Sequence, residues 1–303
     1  MRRRGEAING VLLLDKPYGV SSNAALQTSR KLLNAAKAGH TGTLDPMATG
    51  VLVILIGRAA KAAEYLSSDE KGYIATLRLG ATYDTEDITG KVLTQSNNIP
   101  SRDAVMSVLG EFLGKIKQIP PMYSALKKDG VRLYDLARQG KTVEIPSREV
   151  EVFSINLLTE LNEENCFIID VAVSKGTYIR SLARDIGEYL GCGATLTALE
   201  RTDTCGFSIE DCVSLDDLDA DNVKDYIKSE ETAVMHLREC KVTAKQATRF
   251  CNGGQLDFSR LHIENIEDNE LFRVKCGDTF LGIGIADLEN QRLNIKCIIN
   301  FYK

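Results

Sequence analysis

Several features are missing from this chain of 303 residues, and each absence narrows the field. No segment approaches the ~20 consecutive apolar residues that a membrane-spanning helix needs. The charged start, Arg2-Arg3-Arg4, is followed only by the short apolar run Val11–Leu14, too brief for the core of a secretory signal. The eight cysteines (166, 192, 205, 212, 240, 251, 276 and 297) include no C-x-x-C pair, and no histidine stands at ligand spacing from any of them. That pattern argues against a zinc site and for reduced thiols. Gly282-Ile283-Gly284 lacks the third glycine and the following helix of a dinucleotide fingerprint. The acids Asp84, Glu86 and Asp87 crowd one loop, but their spacing does not fit a calcium-binding loop, and turns favour Asp in any case. No internal repeat is visible. The expectation is a soluble cytoplasmic protein without a metal site.

What is present is ordinary in bulk and uneven in detail. Hydrophobic residues make up 44% and charged residues 26%, which suits a globular protein with a real core. The formal charge of −5 argues against a uniformly basic nucleic-acid binder. Its distribution reopens the question. Residues 115–148 hold eight Lys or Arg against three acids, and residues 210–232 hold nine acids against two Lys. A polyanion can dock on one such face.

Along the chain, Gly10–Lys16 reads as a strand ended by Pro17, and Ser21 and Ser22 offer caps for a helix to about Leu33. A Gly/Thr/His loop, Gly39–Gly50, runs into the apolar strand Val51–Ile56, and Ala59–Leu66 reads as a helix. Tyr73, Ala75, Leu77 and Leu79 alternate as the buried face of a strand. Ser101 caps a helix that buries Val105, Val108, Leu109 and Phe112. The segment from Gln118 through Pro120-Pro121 to Arg148 is basic, with Tyr123 and Tyr134 among the cations. A solvated excursion and a surface for phosphate contact plus base stacking fit it equally. Strands follow at about 150–158 and 166–174, and a helix opening at Ser174–Arg180 buries Ile179, Leu182, Ala183, Ile186 and Leu190, ending at Gly191. The acidic stretch 210–232 reads as a solvated helical face or linker. From Lys241 the texture becomes that of a small β-rich module, with a helix at Ala244–Cys251 and strands at about 270–276, 279–286 and 291–299.

In the loop, Asp45 precedes Pro46, which pushes it into an extended conformation. Most such aspartates bond their own backbone. The sharper alternative is a nucleophile, because a carboxylate with a reference pKa of about 3.9 is ionised at neutral pH without a separate base. A buried carboxylate then needs a cation, and Arg180 at a helix start is a candidate.

Five segments taken in order resemble the bacterial TruB-type tRNA pseudouridine synthases. Asp15-Lys16-Pro17 with Ser21-Ser22-Asn23 is similar to that family's first motif. Gly39-His40-Thr41-Gly42-Thr43-Leu44-Asp45-Pro46 with Ala48-Thr49-Gly50 resembles its catalytic motif, and Lys71–Gly80 with Asp84-Thr85 and Asp87 its tyrosine motif. Ser174–Arg180 with Leu190-Gly191-Cys192-Gly193-Ala194 resembles its arginine motif. Pro120-Pro121-Met122-Tyr123-Ser124-Ala125-Leu126-Lys127 resembles its RNA-gripping insertion.

The resemblance implies an α+β fold, with a mixed, mainly antiparallel sheet flanked by helices and loops. It implies a catalytic domain over residues 1–235, including the insertion at about 118–150, and a PUA-like RNA-binding domain over 240–303. The implied reaction is isomerisation of uridine to pseudouridine at position 55 in the T-loop of tRNA, by base flipping and without cofactor. Asp45 is then the nucleophile, Arg180 its ion-pair partner, and Tyr73 the platform for the flipped uracil. His40 helps displace and hold the nucleotide, Tyr178 and Leu199 line the pocket, and Lys16 and Pro17 are structural. Lys127, Lys128, Arg132 and Arg138 contact RNA. The expected partner is the tRNA T-arm stem-loop, bound by a monomer with no obligate protein partner. Rival readings are a guide-RNA-dependent relative, a non-catalytic tRNA-binding or refolding protein, and a retaining glycosidase, which Tyr73 and Arg180 leave without an acid catalyst.

Overall fold

The computed structural model describes residues 5–67, 70–124, 126–128, 130–141, 143–159, 161–162 and 164–302, without the side chains of Lys127, Lys128, Arg132 and Arg138. Strand β1 (Gly10–Lys16) buries Val11–Leu14 completely or nearly so, and Pro17, which has no N–H to donate, ends it. Ser21 caps α1 (Ser22–Leu32) by accepting from the Ala24 N–H at 3.1 Å, and Arg30 and Lys31 occupy its last turn, where the carbonyl end favours cations. β2 (Ala38–Thr41) runs antiparallel to β3 (Ala48–Ile56). The segment after it is a 3₁₀ helix, Gly57–Tyr65, rather than the α-helix read from the sequence. Its first N–H groups bond outward, Gly57 N–H to Lys37 O at 2.8 Å and Arg58 N–H to Asn9 Oδ1 at 2.9 Å.

β4 (Glu70–Leu79) shows the expected alternation, with Tyr73, Ala75, Leu77 and Leu79 buried. The hairpin β5 (Ala81–Tyr83) and β6 (Val92–Gln95) follows, then α2 (Arg102–Glu111), capped by Ser101. β7 (Gly114–Gln118) leads into the basic segment. That segment holds a minimal hairpin, β8 (Lys127–Lys128) and β9 (Val131–Arg132), and a short helix α3 (Leu133–Arg138). β10 (Arg148–Leu157) and β11 (Cys166–Ser174) precede α4 (Ile179–Tyr189). This helix starts five residues later than the sequence suggests, because Ser174–Thr177 closes a turn first. Its buried stripe is the expected Ile179, Leu182, Ala183 and Ile186, while Leu190 is a half-buried C-cap and Gly191 follows at φ +73°. β12 (Ala194–Thr204) and β13 (Phe207–Ser208) complete the middle of the chain.

The acidic stretch is neither a helix face nor a linker. It holds β14 (Val213–Ser214), parallel to β1, and a series of short 3₁₀ turns. Leu215, Leu218 and Val223 enter the same core as Leu12, Leu14, Leu52 and Ile54, while Asp216, Asp217, Asp219, Asp221 and Asp225 stay exposed. Short polar side chains favour turns over a helix here: Asp219 Oδ1 accepts from the N–H groups of Asp221 and Asn222, both at 2.8 Å. Beyond it, β15 (Arg238–Lys241), α5 (Ala244–Cys251), β16 (Leu256–Asp257), β17 (Leu271–Cys276), β18 (Thr279–Asp287) and β19 (Arg292–Ile298) form a five-stranded sheet in the order β15-β17-β18-β19-β16. Phe250, Phe272, Val274, Leu281 and Leu293 fill a separate core under it.

The chain divides into two compact units, Met1–Asp45 with Val51–Ser67 and Glu210–Lys303, and Pro46–Gly50 with Ser68–Ile209. In the second unit the sheet runs β3-β12-β4-β11-β10-β7, parallel between β3 and β12 and antiparallel from there on. The protein is thus α+β with a β-rich C-terminal part. Gly50 makes the β3–β12 approach possible: at φ +98°, a Cβ there would lie 2.2 Å from Arg201 O. Gly50→Ala should lower stability by at least about 2 kcal/mol, from backbone strain before the clash is counted. Gly110→Ala, in an exposed helical position with open space around it, should gain up to about 1 kcal/mol. Denaturant midpoints of the two variants check both expectations.

Candidate active site

Asp45 lies in the loop between β2 and β3, half-buried. The residue before it is fixed from a distance. The hydroxyl of Ser22, the first residue of α1, donates to Leu44 O at 2.9 Å and accepts from the Leu44 N–H at 2.8 Å. One hydroxyl can do both because it carries a proton and two lone pairs. With Leu44 buried and Pro46 restricting the next bond, the backbone on both sides of Asp45 has little freedom. His40 sits in β2 opposite Ile54. Lys16 is fully buried, and its ammonium donates to Pro17 O at 2.8 Å and Val20 O at 2.7 Å, closing the turn that precedes α1.

Arg180 occupies the first turn of α4 and is 5% exposed. Its Nη1 donates to Thr85 O at 3.1 Å and lies 3.8 Å from Asp87 Oδ2; its Nη2 donates to Tyr123 O at 2.9 Å. Asp87 is itself bracketed, its Oδ1 accepting from Thr85 Oγ1 at 2.9 Å, Thr89 N–H at 3.0 Å and Thr89 Oγ1 at 2.5 Å. One turn further along α4, Arg184 ion-pairs with Glu86 and donates to Ile119 O at 3.0 Å, while Ser181 Oγ donates to Glu86 Oε2 at 2.8 Å. Burial works against the Arg184 cation, but Glu86 and Asp185 beside it outweigh that and raise its pKa. The three crowded acids therefore have separate structural partners: Asp84 Oδ1 takes the Lys91 N–H at 2.7 Å. Among the described residues no cluster suited to a metal ion is present.

Tyr73 and Leu199 come together on one face of the sheet. In the β4–β12 ladder Tyr73 stands opposite Arg201, and Leu199 stands opposite Ala75. Directly opposed residues share a face and so do residues two apart, which makes Tyr73 and Leu199 diagonal neighbours. The other edge of β12 carries Ala48 opposite Leu199 and, through a parallel bridge, Asp87 opposite Leu196. Ile88 N–H donates to Leu196 O at 2.9 Å to seal that bridge. The start of β3 and the carboxylate that holds Arg180 therefore line one strand edge, three residues or roughly 10 Å apart along it.

Tyr178 is half-buried, just before α4. The Arg148 guanidinium lies 4.7 Å from its ring centroid and also donates to Gly176 O. Asp45 and His40 belong to the first compact unit, and Tyr73, Tyr178, Arg180 and Leu199 to the second. The side chains of Lys127, Lys128, Arg132 and Arg138, expected to contact RNA, lie outside the described residues.

Comparison with known proteins bears on what this arrangement does. The model of the TruB family pseudouridylate synthase N-terminal domain matches residues 30–179, and that of the tRNA pseudouridylate synthase B C-terminal domain matches residues 180–240. The chain is 41% identical over 300 residues to the tRNA pseudouridine synthase B of Chromobacterium violaceum, covering 97% of this chain and 95% of that protein. The chain belongs to the TruB family of pseudouridylate synthases. It is also 43% identical over 281 residues to the tRNA pseudouridine synthase B of Azoarcus sp., covering 91% of each. Its fold matches a chain in the crystal structure of a Cbf5-Nop10-Gar1 complex at a TM-score of 0.74 and 27% identity, covering 97% of this chain and 85% of that one.

Within this TruB-family chain, sequence reading passed over several residues that hold the site. Ser22 read as a possible helix cap, Glu86 and Asp87 as turn acids, and Gln118 as the edge of a basic segment. The contacts of Ser22 and Gln118 span 22 and 60 residues, so no local pattern announces them. Lys71, two residues before Tyr73 on β4, carries a perturbed charge: burial lowers its pKa from 10.5, and the Arg201 guanidinium lowers it further. The folded protein then releases this proton at lower pH than the unfolded chain. Between the two values the unfolded state binds more protons, and stability rises with pH. Lys71→Met should raise stability at neutral pH, with the gain shrinking as pH climbs from the lowered value toward 10.5. Thermal midpoints measured as a function of pH check this.

Proposed function

We propose that the protein isomerises uridine to pseudouridine at position 55 in the T-loop of tRNA, with Asp45 as the nucleophile. Family membership carries the isomerisation, and the names of the relatives support tRNA as the substrate. The observation that carries the site is the shared edge of β12. Asp87, which holds the buried Arg180 cation, and Ala48, at the start of β3, line that edge. Asp45 is tethered three residues before Ala48, and three residues of chain span at most about 11 Å.

The reaction breaks the bond from ribose C1′ to uracil N1 and forms one from C1′ to C5; the C5 proton leaves to solvent and N1 takes up a proton, so atoms balance. It is redox-neutral overall, so its chemistry calls for no cofactor. The target base leaves its stack to be reached. In this reading Tyr73 stacks on the flipped uracil and assists removal of the C5 proton. Asp45 attacks at C1′ of the ribose or C6 of the base, and Arg180 pairs with it. His40 helps displace and hold the nucleotide, and Tyr178 and Leu199 line the pocket. Lys127, Lys128, Arg132 and Arg138 grip phosphates. Residues 1–235 form the catalytic domain, and residues 240–303, with their own five-stranded sheet and core, are a PUA-like RNA-binding module. The protein works in the cytoplasm as a monomer. Greater identity to the tRNA enzymes (41% and 43%) than to the Cbf5 chain (27%) favours action without a guide RNA or protein partner.

Asp45→Asn should abolish tritium release from tRNA carrying 5-tritiated uridine while leaving tRNA binding intact; unchanged release would remove Asp45 from the chemistry. Wild-type protein alone should modify an isolated T-arm stem-loop. Affinity for tRNA should fall with salt, each phosphate contact adding about 0.7–0.9 to the slope of log K against log salt. A filter-binding titration across salt concentrations that came out flat would contradict the basic grip.

A further inference from the structure

The two ends of the basic insertion close on the residues that open α4. β7 enters the insertion and β10 leaves it, and the two pair with Gln118 opposite Arg148. Gln118 is fully buried, and its carboxamide forms a two-point bond with the main chain of Tyr178: Oε1 accepts from the Tyr178 N–H at 2.8 Å, and Nε2 donates to Tyr178 O at 3.1 Å. Tyr178 precedes the first turn of α4 and supplies no side-chain cap of its own, so the entry to this helix is held by a residue from the insertion root. Arg148 adds two more links, over the Tyr178 ring at 4.7 Å and onto Gly176 O. Past the rigid pair Pro120-Pro121, Tyr123 O accepts from Arg180 Nη2 at 2.9 Å. Residues 176–180 and the insertion root are thus stitched together at five points.

We propose that Gln118 and Arg148 are positioning residues that couple the grip of the insertion on RNA to the placement of Tyr178 and Arg180. This rests on the proposed function, in which the insertion holds tRNA and Tyr178 and Arg180 serve the flipped nucleotide. The coupling is geometric. Tyr178 precedes and Arg180 sits on the first turn of a helix whose entry is bonded to the stem of the RNA-holding segment, so a stem ordered by RNA holds both side chains in one arrangement. Arg148 has the right chemistry for this: a planar guanidinium stacks on a ring and bonds a carbonyl at once, which an ammonium does not reproduce.

The test uses the full-length protein with Arg148→Lys, which keeps the charge, and Gln118→Met, which keeps the volume and loses both bonds. For Arg148→Lys, kcat on tRNA should fall about tenfold to hundredfold while the tRNA Kd stays within about twofold, since a small misplacement costs rate before affinity. In wild-type protein, tRNA should slow amide hydrogen exchange at residues 176–182 together with the insertion. In Gln118→Met the insertion should remain protected and residues 176–182 should not. A raised Kd with intact kcat in Arg148→Lys would overturn the proposal, as would protection of residues 176–182 that persists in both variants. Wild-type protein that turned over no tRNA would sink the proposed function instead, and the exchange result would then decide the coupling by itself.

Discussion

A guanidinium at 5% exposure has lost nearly all its water, and the surrounding structure has to replace it. An unpaired buried charge costs several kcal/mol, so the acceptors around Arg180 are a requirement of folding before they are part of any chemistry. They come from separate segments: Asp87 and Thr85 from the loop after β5, and Tyr123 from the basic insertion. None of these stretches is a regular helix or strand where it touches Arg180. The cation therefore gathers irregular backbone that has little else to order it. The hydroxyls of Thr85 and Thr89 polarise Asp87 in turn, so the arrangement is a network rather than one pair.

The sheet supplies the rigid side of this arrangement. β12 runs antiparallel to β4 along one edge and parallel to β3 along part of the other. Where β3 has not yet begun, the acid loop takes its place and bonds Leu196 from both sides of Asp87. An otherwise open strand edge is covered, and the covering loop delivers the carboxylate that Arg180 needs. Gly50 allows β3 to approach so closely, since any larger residue would meet the Arg201 main chain. Tyr73 and Leu199 then share a face because of ladder register alone.

Much of this was legible from the residues. The alternation of Tyr73 to Leu79, the stripe on α4 and the caps at Ser21 and Ser101 are local patterns, and the structure has them where they were read. The α+β class and the family followed from five motifs in order. Errors fell where side chains compete with helix geometry. The acidic stretch folds as turns around three buried hydrophobic residues, and the segment after β3 winds as a 3₁₀ helix with its first amides bonded to residues outside it.

The sequence by itself determined which residue types were available: a carboxylate before a proline, an aromatic on a buried strand face, an arginine near a helix start, and a basic excursion. These are properties of short windows, set by periodicity, propensity and charge. Tertiary structure alone decided how they are held. It set Ser22 on the backbone beside Asp45, put Gln118 on Tyr178, and paired Glu86 with Arg184, across separations of 22, 60 and 98 residues. Polar side chains at such distances carry no sequence period. Their partners are chosen only when packing buries them and leaves each donor one acceptor within reach.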